Sequence, residues 1–382
     1  MDVLMGSAFP ATAADPRFLQ PRTFRPIKVS VQPPPPGFDF RESVLPGSRE
    51  AIARTHPHLL DLAEDGTLLL VEKRQFGPVP AWRTEFVEPQ EIWLVGTSHI
   101  SQDSAGNVER VVRALSPDNV VVELCRSRAG IMYTANNGQS DKQLRSGMFS
   151  LSGTEFFGAI GRSINLGGQA ALALRLLLAV FSSKISSDID RPFGNEFRAA
   201  RKVSEEVGAQ IVLGDRPIEI TLQRAWRCLS WDQKMGLVTS VIRGITSQRE
   251  IYSEEIQDQE SSSSDSSYQL YEQLSFSYPA LLQPLLHERD TYLAWSLKRS
   301  KAVNNSKRVV GVIGKGHMNG VVYALVSDQG NLRFRDLAGK SPGDGGSLGW
   351  IENIARGLVK DTVIGILLWA LYEFVRDRQG NM

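Results

Sequence analysis

Cysteine, histidine and uninterrupted apolar sequence are all scarce in this chain of 382 residues. Its two cysteines, Cys125 and Cys228, cannot build a disulfide framework and have no zinc-ligand spacing. Cys125 ends an apolar run and reads as a buried thiol. No charge of one sign dominates: 43 Lys and Arg stand against 42 Asp and Glu, a net charge of +1, and the basic residues form no stripe. That balance carries no footprint of a nucleic-acid or polyanion partner. The amino terminus has no apolar core of a secretory signal. His-Glu-x-x-His, Gly-x-Ser-x-Gly and the phosphate-loop pattern are all missing, which removes the local signatures of several hydrolases and of nucleotide binding.

Long apolar runs are short here too. TVIGILLWALY, Thr362 to Tyr372, falls well under the roughly 20 residues that cross a bilayer. Trp369, Tyr372, Arg376 and Arg378 suit an interface, so the stretch Leu358–Val375 is expected to dock or touch a membrane rather than span one. The block ALALRLLLAVF within 164–181 has Arg175 inside it and predicts a buried or lid-like helix. Residues 254–267 form an acidic, serine-rich loop. Residues 1–35 are poor in acids and run into the stiff break Pro33-Pro34-Pro35-Pro36-Gly37, a leader that suits an organelle transit peptide, chloroplast before mitochondrion, or else a disordered tail. The expected organisation is this leader, an extension over 36–90, an α/β domain over 91–340, a glycine-rich linker over 341–349 and an apolar helix over 350–382.

Against that background two tetrads stand out, Gly96-Thr97-Ser98-His99 and Gly314-Lys315-Gly316-His317, which hold two of the five histidines. Each follows a short apolar run, Ile92–Val95 and Val309–Ile313. A buried strand, a glycine that permits a sharp turn and a histidine together deliver an imidazole to a sheet edge. Glu91–Val95 reads as a strand. Val108, Val111, Val112 and Leu115 recur at helical spacing after a cap at Ser101 or Ser104, Ser116-Pro117 stops that helix, and Asn119–Leu124 is a second strand. A right-handed crossover would lay the two strands parallel, bringing His99 and Glu123 out on one edge. Glu196–Val207, capped by Gly208, then Gln210–Leu213 and a helix from Pro217 repeat the pattern and end a strand at Asp215 and Arg216. His287–Arg299 reads as a helix whose charges are solvated or paired along it, and Arg308–Ile313 delivers the second tetrad.

Imidazoles and a carboxylate on one edge support a divalent metal with open positions, or acid–base chemistry without one. A carboxylate at Glu123, between Val122 and Leu124, needs a partner if buried, and Arg126 or Arg128 is the nearest in sequence. Asp215 serves equally as a helix cap. His56 and His58 read as surface residues. Glu155–Ala159 looks slightly like an acidic two-phenylalanine motif for membrane tethering, although buried phenylalanines account for it better.

WLVGTSHIS, the VVVELC run with Arg126 and Arg128, Phe193–Arg198, Leu213-Gly214-Asp215-Arg216 with Ile220-Thr221-Leu222, Glu288-Arg289-Asp290 and IGKGHMNGV together resemble the TraB/PrgY/GumN family, over roughly 91–326. The leader and the single short apolar tail resemble a plant organellar member. The resemblance implies a fold similar to Tiki proteases and erythromycin esterases. In Tiki proteins two Gly-x-x-His motifs and a glutamate form a metal-dependent peptidase site. Carried over, the metal ligands are His99, His317 and Glu123, and Arg289 contacts an anion or substrate. Some family members act instead in pheromone shutdown or as membrane tethers.

The expectation is therefore an α/β fold with a central mixed, largely parallel sheet flanked by helices, a helical insertion and a C-terminal apolar helix. Its leading activity is a metal-dependent peptidase or amidase using manganese, cobalt or zinc on a peptide or small-molecule substrate. A non-catalytic regulatory or tethering role and a metal-free esterase are the alternatives.

Overall fold

The computed structural model describes residues 31–78, 86–98, 103–133, 194–236, 278–327 and 334–338. His99, the apolar block in 164–181, the serine-rich loop, residues 155–159, the linker and the C-terminal apolar stretch lie outside the described residues.

Five strands form one sheet: β1 (Leu68–Glu72), β2 (Glu91–Thr97), β3 (Asn119–Val122), β4 (Gln210–Leu213) and β5 (Arg308–Gly314). Their order is β1-β2-β5-β3-β4. Only β1 runs antiparallel; β2, β5, β3 and β4 are mutually parallel. The mixed, largely parallel sheet read from the pattern is thus present, and 36–90 contributes its edge strand β1. β5 lies between β2 and β3, an insertion that no local pattern announces.

Six helices of ten or more residues accompany the sheet among the described residues: α1 (Leu45–Thr55), α2 (Asp103–Leu115), α3 (Asn195–Val207), α4 (Ile218–Cys228), α5 (Glu288–Arg299) and α6 (Lys315–Val326). Alternate strand residues sort into two cores, as the pleat requires. Leu68, Leu70, Trp93, Val95, Val120, Val122, Val310 and Val312 pack with the predicted stripe of α2 and with Phe197, Ala200 and Val203 of α3. Leu69, Val71, Ile92, Leu94, Val121, Val309 and Ile313 pack with Leu293 and Leu297 of α5 and Val321, Val322 and Leu325 of α6. Each such side chain contributes about 1.5–3 kcal/mol by burial. Both faces being covered explains why the strands read as near-continuous apolar runs.

Helix ends follow their sequence signals. α3 closes at Gly208 with φ 74°, a left-handed position suited to glycine. α5 departs from its expectation: all twelve of its residues are buried, so its charges are enclosed rather than solvated. A five-residue π-helical turn, Gln283–His287, precedes it and holds Pro284, which supplies no amide donor. Among the described residues no helix is long and apolar enough to cross a membrane.

Candidate functional site

The parallel register brings the two tetrads together. Gly96 lies opposite Ile313, and Thr97 opposite Gly314. Thr97 Oγ1 donates to the Ile313 carbonyl at 3.2 Å, tying the two strand ends. Gly96 also admits α6: a Cβ at residue 96 would stand 3.3 Å from both Lys315 Cγ and Met318 Cγ. Ser104 secures the exit of the first tetrad, accepting from Ser98 N at 3.0 Å and donating to Ser98 O at 3.1 Å. Ser104 therefore sits inside α2 as a clamp on the tetrad rather than as the cap.

Beyond β3 the ladder continues one step, since Glu123 N donates to Val312 O at 3.1 Å. This points the Glu123 side chain at the start of α6. Its Oε2 accepts from the Gly314 amide at 2.8 Å. Its Oε1 accepts from Arg289 Nη2 at 2.8 Å and faces His317 Nε2 at 3.2 Å. The partner of the buried Glu123 is thus Arg289, 166 residues away in sequence, while Arg128 reaches the Glu123 main-chain oxygen at 3.3 Å. His317 Nδ1 meets Asp290 Oδ1 at 2.6 Å.

Asp215 belongs to the same network instead of capping α4, whose N-cap is Pro217 with no side-chain bond. Arg289 Nε and Nη2 bind Asp215 at 3.2 and 3.0 Å, and Arg128 also pairs with it. Arg216, fully buried, is structural: it donates to Glu288 Oε2, to the carbonyls of Pro284 and Leu337, and to Thr221 Oγ1. Arg289 and Arg216 thus bolt the polar face of α5 to the strand ends. Cys125 is buried, as read from the sequence.

Electrostatically, the site is a coupled cluster. Burial alone would lower the pKa of His317, but the carboxylates of Glu123 and Asp290 outweigh it and hold the imidazole well above 6.5. Burial pushes the Asp290 carboxyl up against the pull of His317, so the two compete for one proton. Tyr292, two residues further along α5, is pushed up to about 12, first by burial and then by Asp215.

Of the residues named from the sequence, His317 and Arg289 both contact Glu123, and His99 lies outside the described residues. Asp290 was missed as a specific site residue. Its place in the charged Glu288-Arg289-Asp290 start of α5 is the available signal, and only the close packing of α5 on α6 turns it toward His317. Two donor atoms on one tetrahedral ion with bonds of about 2.0–2.1 Å stand about 3.3–3.4 Å apart. The 3.2 Å between His317 Nε2 and Glu123 Oε1 fits that spacing. Oε1 carries two lone pairs, enough for Arg289 and one further partner. Among the described residues no group of three or more His, Cys, Asp or Glu is arranged to hold a metal. The described part of the site thus brings two groups of ligand type to a spacing that one ion could bridge, and without an ion they pair with each other.

The chain matches the model of the TraB/PrgY/gumN family over residues 80–330. It is 27% identical to a TraB domain-containing protein of Bos taurus over 89% of this chain and 90% of that protein. A TraB domain-containing protein of Mus musculus is 26% identical over 87% of this chain and 89% of its own length. An uncharacterized protein of Methanocaldococcus jannaschii is 28% identical over 63% of this chain and 55% of its own length. With paired tetrads on neighbouring strands and a family match spanning well over half its length, the chain belongs to the TraB/PrgY/gumN family.

Proposed function

We propose that this protein is a metal-assisted hydrolase acting on an amide or related carbonyl substrate, with His317, Glu123 and His99 as the ligands. One observation carries the reading: the 3.2 Å approach of His317 Nε2 to Glu123 Oε1 at the ends of adjacent parallel strands. A divalent ion such as manganese, cobalt or zinc would supply an acidified water and polarise the carbonyl. The residues of the chain prepare for that. Gly314 N–H and Arg289 restrain the two oxygens of Glu123, so its carboxylate needs little rearrangement to act. Arg289 is itself held by Asp215, which fits a role in fixing Glu123 rather than in moving to a substrate anion.

Metal analysis of the purified full-length protein tests the proposal, with His99→Ala and His317→Ala as controls. Stoichiometric metal in the wild type, lost in both variants, is expected. Absence of metal from the wild type after reconstitution, with hydrolysis of amide or ester panels unaffected by the two substitutions, overturns it.

A second reading has its own support. His317 is flanked by Asp290 and Glu123, an arrangement able to pass a proton to a leaving group with no metal. Hydrolysis that resists chelators and survives removal of all divalent metal favours this esterase-like alternative.

A further inference from the structure

Resting on the metal reading for its ligand, we infer that Asp290 is the positioning residue for His317, and that Gly320 is the gap in α6 through which it acts. α5 and α6 lie against one another on the same face of the sheet, with Leu293 and Leu297 of one packed in a common core with Val321 and Val322 of the other. Asp290 is on the α5 side of that contact and is 3% exposed. Its Oδ1 reaches His317 Nδ1 at 2.6 Å. A Cβ built on Gly320, one turn along α6 from His317, would meet Asp290 Oδ2 at 1.9 Å, Cγ at 2.6 Å and Cβ at 3.0 Å. The carboxylate therefore occupies the volume of the missing side chain. Because Asp290 Cγ itself would stand at 2.6 Å, turning the carboxylate about its own axis does not relieve the clash.

Glycine is a poor choice within a helix, less favourable than alanine. Gly320 carries no left-handed backbone angle, so conformational need does not account for it. The space it leaves does: only a residue without Cβ lets Asp290 cross to the imidazole. The consequence is chemical. With Nδ1 tied to Asp290, the ring orientation is set and Nε2 is directed to Glu123. A carboxylate on the far nitrogen also makes the imidazole a stronger donor to a bound ion, and losing such a partner typically weakens metal affinity about 10–100-fold.

The full-length protein is compared as wild type, Asp290→Asn, Asp290→Ala, Gly320→Ala and the Gly320→Ala/Asp290→Ala double variant. Titration with manganese, cobalt or zinc chloride alone is expected to give roughly 10–100-fold weaker binding in Asp290→Ala and in Gly320→Ala. Ring-nitrogen NMR of histidine-labelled, metal-free protein is expected to show a hydrogen-bonded His317 Nδ1–H, lost in Asp290→Ala. Melting supplies a check on the gap: Gly320→Ala should lower Tm strongly in the wild-type background and clearly less in the Asp290→Ala background, where only the 3.0 Å Cβ contact remains. If Gly320→Ala fails to fold, the double variant and the near-isosteric Asp290→Asn carry the comparison. Metal affinity within twofold of wild type in Asp290→Ala, or an unchanged Nδ1 signal, overturns the inference while leaving the metal reading intact. A wild type that binds none of the three ions sinks the metal reading, and the ring signal then decides the role of Asp290 by itself.

Discussion

Thr97 and Gly314 face each other across β2 and β5, so two tetrads far apart in sequence start their turns side by side. Gly96, the residue before Thr97, packs against Lys315 and Met318 of α6, and its missing side chain sets how near they can lie. A branched side chain there has no room. Gly96→Val is expected to cost about 1–3 kcal/mol through overpacking, measured by urea unfolding, and to weaken metal binding because it pushes the His317 helix away. Unchanged stability and binding would show that the close approach is dispensable.

Arg289 is buried between Glu123 and Asp215. Removing it leaves the Asp215 carboxylate to Arg128 and the Glu123 carboxylate to His317 and the Gly314 amide, with one buried positive charge fewer between them. Arg289→Ala is expected to destabilise the protein by about 3–5 kcal/mol, the usual cost of breaking a buried pair from one side. Arg113→Ala, which removes exposed pairs to Glu109 and Glu206, should leave the unfolding midpoint nearly unchanged. Chemical denaturation of both variants in parallel checks the contrast.

Gly311 in β5 receives Leu297 of α5. A Cβ there would stand 2.8 Å from Leu297 Cδ2 and 2.9 Å from Leu94 Cδ2. Gly311→Ala is therefore expected to cost about 1–3 kcal/mol, and Leu297→Ala about 2–5 kcal/mol. The double variant should lose less than the sum, because the new methyl enters the space that leucine vacates. A strictly additive double-mutant cycle would contradict the packing described.

The pH dependence of stability has a contribution remote from the site. Burial pushes the Glu91 carboxyl up, but hydrogen bonds from Trp93 and Arg308 prevail and hold it below 4.5. Trp93 Nε1 donates at 3.0 Å and Arg308 Nε at 2.9 Å. A carboxylate with a depressed folded pKa stabilises the fold above its unfolded pKa, and that contribution disappears as the pH falls through the folded value. Wild type should accordingly exceed Glu91→Gln in stability at neutral pH and converge with it below pH 4.5. Denaturation midpoints across pH 3–7 measure the difference, about four pH units being enough to bracket the transition. A gap that persists at low pH would rule out the charge as its source.

Much of the frame was legible from local pattern, and for identifiable reasons. β4 was read as Gln210–Leu213, which is where it lies, because a polar end, a β-branched pair and the following Gly-Asp-Arg-Pro mark both boundaries. The stripe Val108, Val111, Val112, Leu115 is buried as its 3.6-residue period requires. The edge strand β1 was not read as part of the sheet, although Leu68–Val71 is a continuous apolar run. Short runs of that kind do not by themselves separate a strand from a buried helix segment.

For the site, the chain itself determined the donor types and the strand-end positions that carry Glu123, Asp215 and His317. Local periodicity and turn chemistry act over a few residues, and they suffice for that. Only the tertiary structure decided that β5 enters between β2 and β3, that Arg289 rather than Arg126 or Arg128 neutralises the Glu123 side chain, and that Asp290 reaches His317 across Gly320. Those choices depend on strand order and helix packing between residues far apart in sequence, where a single missing Cβ opens or closes a contact.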